Sequence, residues 1–288
     1  MNIHFEQITI IGVGLIGGSF ARVCKKKGLV DRAVGYGRGE ANLKKGVELG
    51  VIDSYSLNLK EAVQGADLIM LSPSVDAIIN IAEEMLPFLK PGVIVTDAGS
   101  VKGEIVRRLE KVFPKDIHFV GGHPIAGTEK GGVEASFDTL FEGARCIITP
   151  TKKTDGESLE KIKGLWQEIG SIVMEMGAEE HDLLMGGISH LPHIAAYALV
   201  NAVSNIPADK DKLRGLSAGG FKDITRIASS SPGLWREISM MNRDTLLKLI
   251  ADYREILEAM EKDIREGRGE SLEEGFAKAK VFRDSIQG

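Results

Sequence analysis

The sequence predicts an α/β protein: a doubly wound, mainly parallel sheet followed by an all-α C-terminal domain. Two observations carry this. Over residues 1–177 short apolar runs alternate with amphipathic stretches, the mark of βαβ units. After Gly177 the strand-like runs stop and helical periodicity continues to the end. At 288 residues the chain exceeds the usual size of one core, so domains are expected at 1–177 and 178–288.

The expected strands are 7–11, 33–36, 67–72, 93–97, 118–121, 146–149 and 172–176, with helices at 15–27, 76–86, 102–112 and 157–169. The strands are apolar on both sides of the pleat, as a sheet covered by helices on both faces requires. In the second half Leu246, Leu249, Ile250, Tyr253, Ile256, Leu257, Met260 and Ile264 recur at three- and four-residue steps, one stripe on one long helix. Pro192, Pro207 and Pro232 interrupt this half and suggest three or four helices. So small a helical segment closes its own core poorly, which favours a homodimer through it.

Composition narrows the partners. With 43% hydrophobic and 27% charged residues the chain is neither disordered nor fibrous, and a net charge of −5 argues against nucleic acid or an anionic membrane. No apolar run reaches the roughly 18 residues of a membrane span, and MNIHFEQITIIG is not a signal peptide, so a cytoplasmic protein is expected. Cys24 and Cys146, without CxxC spacing, read as core residues rather than a disulfide or metal pair.

Ile8 to Ser19 reads ITIIGVGLIGGS, a GxGxxG of Gly12, Gly14 and Gly17 between a strand and a helix. In that setting the pattern is a Rossmann-type dinucleotide fingerprint: a tight turn at the first glycine, close approach to pyrophosphate at the second, helix–strand packing at the third. Leu15 and Ile16 open the helix whose amides would face the phosphates. About 20 residues further on, where an acid usually holds the ribose, the chain has Gly37 and Arg38. Arg38 suits a 2′-phosphate, so the cofactor reading is NAD(P), leaning to NADP, while the nearby Glu40 keeps NAD open. Ser72 and Pro73 follow the strand ending at 72 and belong to the same cofactor edge.

Val120 to Gly132 reads VGGHPIAGTEKGG, one histidine among five glycines. As the loop after a strand it puts His123 at the carboxyl edge of the sheet, its glycines giving close approach to a flat ring and unusual dihedrals. Together with DAGSVK at Asp97–Lys102, SHLPH at Ser189–His193 and FKDITRIASSSPGLW at Phe221–Trp235, this segment resembles the signatures of the prephenate dehydrogenase family, which includes arogenate dehydrogenases. The four motifs follow one another in the family's order, and the match spans nearly the whole chain.

The resemblance implies oxidative decarboxylation of a cyclohexadienol, with hydride passing to the nicotinamide and CO2 leaving the opposite ring carbon. His123 takes the hydroxyl proton, a task suited to neutral imidazole. Ser100 bonds the same hydroxyl, or else caps the helix beginning near Val101. Arg226 binds a substrate carboxylate, where a guanidinium fork fits better than lysine. His193 lies near the substrate side chain with His190 supporting it. Thr128 and Glu129 sit at the pocket mouth, Glu129 in an ionic gate with Asp223 and Arg226, and Trp235 forms a wall. His181 reads as a surface or helix-start residue, Lys102 and Lys130 as solvated charge. No metal is expected.

Three alternatives stay in view. An arogenate dehydrogenase would use the same chemistry. A β-hydroxyacid dehydrogenase would carry a catalytic lysine on its first C-terminal helix, which SHLPH does not offer. A non-catalytic NAD(P)H sensor would need the glycines but not Ser100, His123 and Arg226 together. Without room for a fused mutase or regulatory domain, a monofunctional enzyme is expected, with tyrosine acting, if at all, at the active site.

Overall fold

The computed structural model describes residues 3–286 except Glu129. Among the described residues eight strands form one sheet: β1 (Phe5–Ile11), β2 (Val30–Tyr36), β3 (Ser54–Ser56), β4 (Leu68–Leu71), β5 (Ile94–Asp97), β6 (His118–Pro124), β7 (Arg145–Thr149) and β8 (Ile172–Glu175). Their order is β3-β2-β1-β4-β5-β6-β7-β8. Every neighbouring pair is parallel except β6 with β7. The order reverses between β1 and β4, the position where such sheets open a ligand crevice beyond the strand carboxyl ends.

Six helices flank the strands: α1 (Leu15–Lys26), α2 (Glu40–Glu48), α3 (Leu59–Val63), α4 (Val75–Met85), α5 (Gly103–Val112) and α6 (Gly156–Glu168). Alternation along β4 shows why both faces are apolar. Leu68 and Met70 pack in one core with Phe20 of α1 and Trp166 of α6, while Ile69 and Leu71 pack in the other with Ile78 of α4 and Ile105 of α5. Cys24 and Cys146 are both buried and free.

Two strands differ from expectation. β3 is a three-residue edge strand of Ser, Tyr and Ser, with no apolar run to mark it. β6 runs to Pro124 instead of ending at Gly121, because β7 returns antiparallel and pairs Gly121 with Thr149, His123 with Ile147 and Pro124 with Cys146. His123 is therefore inside a strand and not in the loop after it. Gly121 and Gly122 serve the same pairing. A Cβ on Gly121 would stand 2.6 Å from Thr149 Oγ1, and one on Gly122 3.0 Å from the Asp97 carbonyl oxygen. They are glycines because three strands press together here, not for unusual dihedrals.

The second half is more divided than the prolines suggested, with α7 (Ala178–Met185), α8 (Leu191–Ser204), α9 (Lys210–Leu216), α10 (Gly219–Thr225), α11 (Pro232–Met241), α12 (Arg243–Arg265) and α13 (Gly269–Ser285). Pro232 occupies the first turn of α11, where its missing N–H costs nothing. Pro192 breaks nothing. A π-helical turn, Gly186–His190, joins α7 to α8 in one run, and Pro192 lies in the first turn of α8, where a proline is tolerated.

That run, Ala178–Ser204, is by length and composition long and apolar enough to cross a membrane, against the expectation that no segment would be. Its first turns carry the buried Ala178, His181, Asp182 and Met185, and His190 is buried further along. Chain contacts divide the protein into two compact units, 1–242 and 243–288. The second is the α12–α13 pair, on which Ile256, Leu257 and Ile264 are exposed.

Candidate active site

At the β1–β4 switch point a cleft of about 640 Å³ is lined by Gly12, Gly14, Gly37, Arg38, Ser72 and Pro73 among others. Its glycines do three different things. Gly12 has φ +89°, and a Cβ there would stand 2.6 Å from the Ser72 carbonyl oxygen. Gly17 is buried in α1, where a Cβ would strike Ser72 Oγ and the Gly12 carbonyl oxygen. Around Gly14, the N-cap of α1, such a Cβ would meet nothing within 4 Å, so the free amides of the helix face open space. Ser72 Oγ braces the turn by donating to the carbonyls of Ile11 (3.1 Å) and Gly12 (3.0 Å). A bare backbone, a helix N-terminus and room for a flat ring fit a dinucleotide. Leu15 is buried behind the turn and Ile16 packs on the core. Arg38 is exposed at the cleft edge, while Glu40 is taken up by Lys44 (3.1 Å) and the Tyr55 hydroxyl (3.1 Å).

Further along the same carboxyl edge, β6 presents His123, only 7% exposed. Both main-chain polar groups of Gly122, the residue just before it, are held. The Gly122 N–H donates to Asp97 Oδ1 (3.1 Å), and Lys102 Nζ donates to the Gly122 carbonyl oxygen (2.8 Å) and to Asp97 Oδ2. Neither charged side chain is exposed at all. Lys102 is thus no solvated cation, since Asp97 lies within its reach beneath the strand. Burial pushes its pKa down and the Asp97 charge pulls the other way.

His123 Nδ1 lies 2.8 Å from Nε2 of His181, and His181 Nδ1 lies 2.8 Å from Asp182 Oδ1. Asp182 Oδ1 also accepts the Lys102 N–H (2.7 Å), and Oδ2 accepts the Gly103 N–H (2.8 Å) at the start of α5. A helix cap is the alternative reading of Ser100, but α5 begins only at Gly103, so Ser100 lies too early in the chain for that role. His181, expected at the surface or at a helix start, stands in the first turn of α7 but has no exposed area, because α7 lays it against β6. Burial, then the charges of His181, Lys102 and His190, hold the His123 pKa well below 6.5. The ring is neutral at physiological pH and has a lone pair to offer.

The third layer comes from α8, α11 and the π-helical turn. His193 stacks on Trp235 with ring centroids 3.5 Å apart and planes 20° from parallel, and His190 meets the Trp235 ring edge-on at 6.0 Å. His193 Nδ1 donates to the Ser189 carbonyl oxygen (2.9 Å). Burial lowers the His193 pKa, the Ser189 carbonyl opposes, and the charge of Arg226 lowers it further. Burial takes His190 down to about 4. Asn242 Nδ2 holds the Asp182 carbonyl oxygen (2.8 Å) and sits 3.1 Å from His190 Nδ1.

Arg226 and Asp223 are exposed at and before the end of α10. Thr128 is exposed in the loop after β6, its Oγ1 accepting from the Lys130 N–H (3.3 Å). The expected gate at Glu129 falls outside the described residues. Asp97, Lys102, His181 and Asp182 were missed as site residues. The motif DAGSVK displayed the first pair at a five-residue separation, but an adjacent His–Asp at a helix start carries no periodic signal.

Comparison with known proteins adds the following. The family model described as prephenate dehydrogenase, nucleotide-binding domain, matches residues 20–175, and that described as prephenate dehydrogenase, dimerization domain, matches residues 177–278. A prephenate dehydrogenase of Bacillus subtilis (strain 168) is 35% identical over 287 residues, 99% of this chain and 77% of that protein. The crystal structure of prephenate dehydrogenase from A. aeolicus in complex with hydroxyphenyl propionate and NAD+ is 39% identical, with a TM-score of 0.91 over 98% of both chains. The Synechocystis arogenate dehydrogenase structure is 30% identical, with a TM-score of 0.83 over 98% of this chain and 100% of the other.

Proposed function

The chain belongs to the prephenate dehydrogenase family of NAD(P)-dependent oxidoreductases, and from that membership we propose that it converts prephenate to 4-hydroxyphenylpyruvate and CO2 in tyrosine biosynthesis. The observation that carries this is His123: a buried, neutral imidazole on the carboxyl edge of the sheet whose switch point opens the dinucleotide cleft.

The bound cofactor supplies a hydride acceptor. His123 takes the hydroxyl proton as the carbinol carbon becomes a carbonyl carbon. The C–CO2 bond then breaks, and its electron pair flows through the ring to that oxygen, which recovers the proton from His123 as a phenol. No net proton is released, so a buried base needs no exit path. Ser100 shares the hydroxyl. Arg226 takes a carboxylate as a bidentate partner, and the His193–Trp235 stack makes a wall for the ring and side chain. Thr128, Glu129 and Asp223 belong to the mouth. Gly12, Gly14, Leu15, Ile16, Gly17, Gly37, Ser72 and Pro73 hold the dinucleotide, and Arg38 favours NADP because Glu40 is already paired with Lys44. The working unit is a cytoplasmic homodimer built through residues 178–288, where Ile256, Leu257 and Ile264 are exposed in the single chain.

The likeness to an arogenate dehydrogenase keeps that substrate as the second reading, since arogenate differs only where the side-chain keto acid becomes an amino acid. Initial rates with prephenate and arogenate, each with NAD and NADP, test the whole proposal. Turnover of prephenate supports it; turnover of arogenate alone moves it to the second reading, and no reduced cofactor with either ends it.

A further inference from the structure

We propose that His181 and Asp182 are positioning residues that fix the tautomer of His123, keeping its proton on Nδ1 so that Nε2 is the lone pair facing substrate. The inference rests on the reading of His123 as the proton acceptor.

The chain of bonds runs one way. Two main-chain N–H groups, those of Lys102 and Gly103, already point at the Asp182 carboxylate, which has only acceptors to offer. His181 Nδ1, 2.8 Å from Asp182 Oδ1, must therefore donate. A neutral imidazole has a single N–H, so His181 Nε2 is left with its lone pair. Across another 2.8 Å it can only accept, and the donor is His123 Nδ1. That leaves His123 Nε2 bare. A free histidine favours the other tautomer, with the proton on Nε2, in which form the ring would present N–H to a hydroxyl whose proton it is meant to take.

The arrangement also answers an electrostatic problem. Once it holds the substrate proton, His123 is a cation near Lys102, with Asp97 balancing that lysine and neutral His190 on the other side. Asp182 is the carboxylate that reaches it, through His181, and its two main-chain bonds tie it to the first turn of α5. Helix α7 thus delivers both residues from the helical part of the chain to the back of a strand residue. Sequence adjacency of His181 and Asp182 is what lets one carboxylate serve both the helix and the ring.

The test begins with the unaltered protein. Nitrogen-15 NMR of histidine-labelled enzyme should show His123 protonated on Nδ1 and bare on Nε2, with His181 likewise Nδ1–H; Nε2–H at His123 overturns the proposal. Asp182→Ala, which takes away the acceptor that holds the His181 Nδ1–H, should free His181 to carry its proton on Nε2, move the His123 proton to Nε2 and lower kcat by roughly 10²–10⁴ with KM changed less than about threefold, the scale seen when such a tautomer is reversed. His181→Leu should behave alike. His181→Gln, whose carbonyl oxygen still accepts from Nδ1, should recover at least tenfold over His181→Leu. A loss of kcat in Asp182→Ala with the tautomer unchanged, or no rescue by Gln, defeats the idea. Because the NMR measurement needs no turnover, a wrong substrate assignment would appear in the rate matrix and leave the tautomer result standing.

Discussion

Lys102 and Asp97 form an ion pair with no exposed surface on either side chain, and together they hold both polar groups of the Gly122 peptide, one residue before His123. A buried pair of this kind is hard to break from one side, because the survivor is left as an uncompensated charge. Lys102→Met should therefore cost roughly 3–5 kcal/mol in urea unfolding. Adding Asp97→Asn should return at least about 1 kcal/mol of that, as a coupled pair requires. A loss under about 1 kcal/mol for the single variant would mean that water reaches the pair.

The same lysine sets the charge around the base. Its positive charge is among the causes that lower the His123 pKa, after burial itself and His181. The acid limb of kcat/KM should accordingly lie below the pH 6.5 of an ordinary imidazole, and in any folded Lys102→Met protein it should move to higher pH. Should the limb of the unaltered enzyme fall at or above 6.5, an exposed histidine would have to be the base.

Stability follows pH with a definite sign. His190 has a folded pKa of about 4, against 6.5 for an ordinary imidazole. Below 6.5 the unfolded chain binds the proton and the folded one does not, so the His190 contribution is whole above pH 6.5 and is lost as pH falls towards 4. The slope is about 1.4 kcal/mol per pH unit for one such group. Urea midpoints should drop between pH 7 and pH 5, and His190→Gln should flatten that drop. An equal slope in both proteins would put the titration elsewhere.

Much of this was legible in the residues, and what was not has physical causes. Strands such as β4 and β5 announce themselves because both faces are apolar, and GxGxxG located the cleft because Gly12 and Gly17 answer separate steric demands while Gly14 borders open space. β3 was invisible because an edge strand need bury nothing on its outer side. The end of β6 was misplaced because its last residues are specified by an antiparallel partner over twenty positions later. Polarity makes His181 read as a surface or helix-start residue and Lys102 as solvated charge; the helix start holds, but both side chains are buried against β6, where His123 and Gly122 meet them only in three dimensions. The π-helical turn that precedes Pro192 is likewise a matter of context.

Removing the base and removing the anchor should have different signatures. His123→Asn should keep cofactor affinity while turnover falls by roughly 10²–10⁴, the range for general base catalysis. Arg226→Ala should act mainly on KM, raising it at least tenfold through loss of a charge-assisted bond worth about 1.5–3 kcal/mol. Single-turnover and steady-state kinetics separate the two. Equal effects on kcat in both variants would deny the division of labour.

Cofactor choice turns on one exposed side chain. Arg38 stands at the rim of the cleft where an acid would repel a 2′-phosphate, and Glu40 two residues on is held by Lys44 and Tyr55. A guanidinium paired with phosphate at a partly solvated site is worth about 1.5 kcal/mol or more. Arg38→Ala should thus raise KM for NADP about tenfold or more and leave KM for NAD within about twofold. Arg38→Asp should go further, because it restores the carboxylate that holds ribose hydroxyls and adds repulsion against phosphate. Should both variants treat the two dinucleotides alike, Arg38 is a solvated cation and the preference for NADP falls.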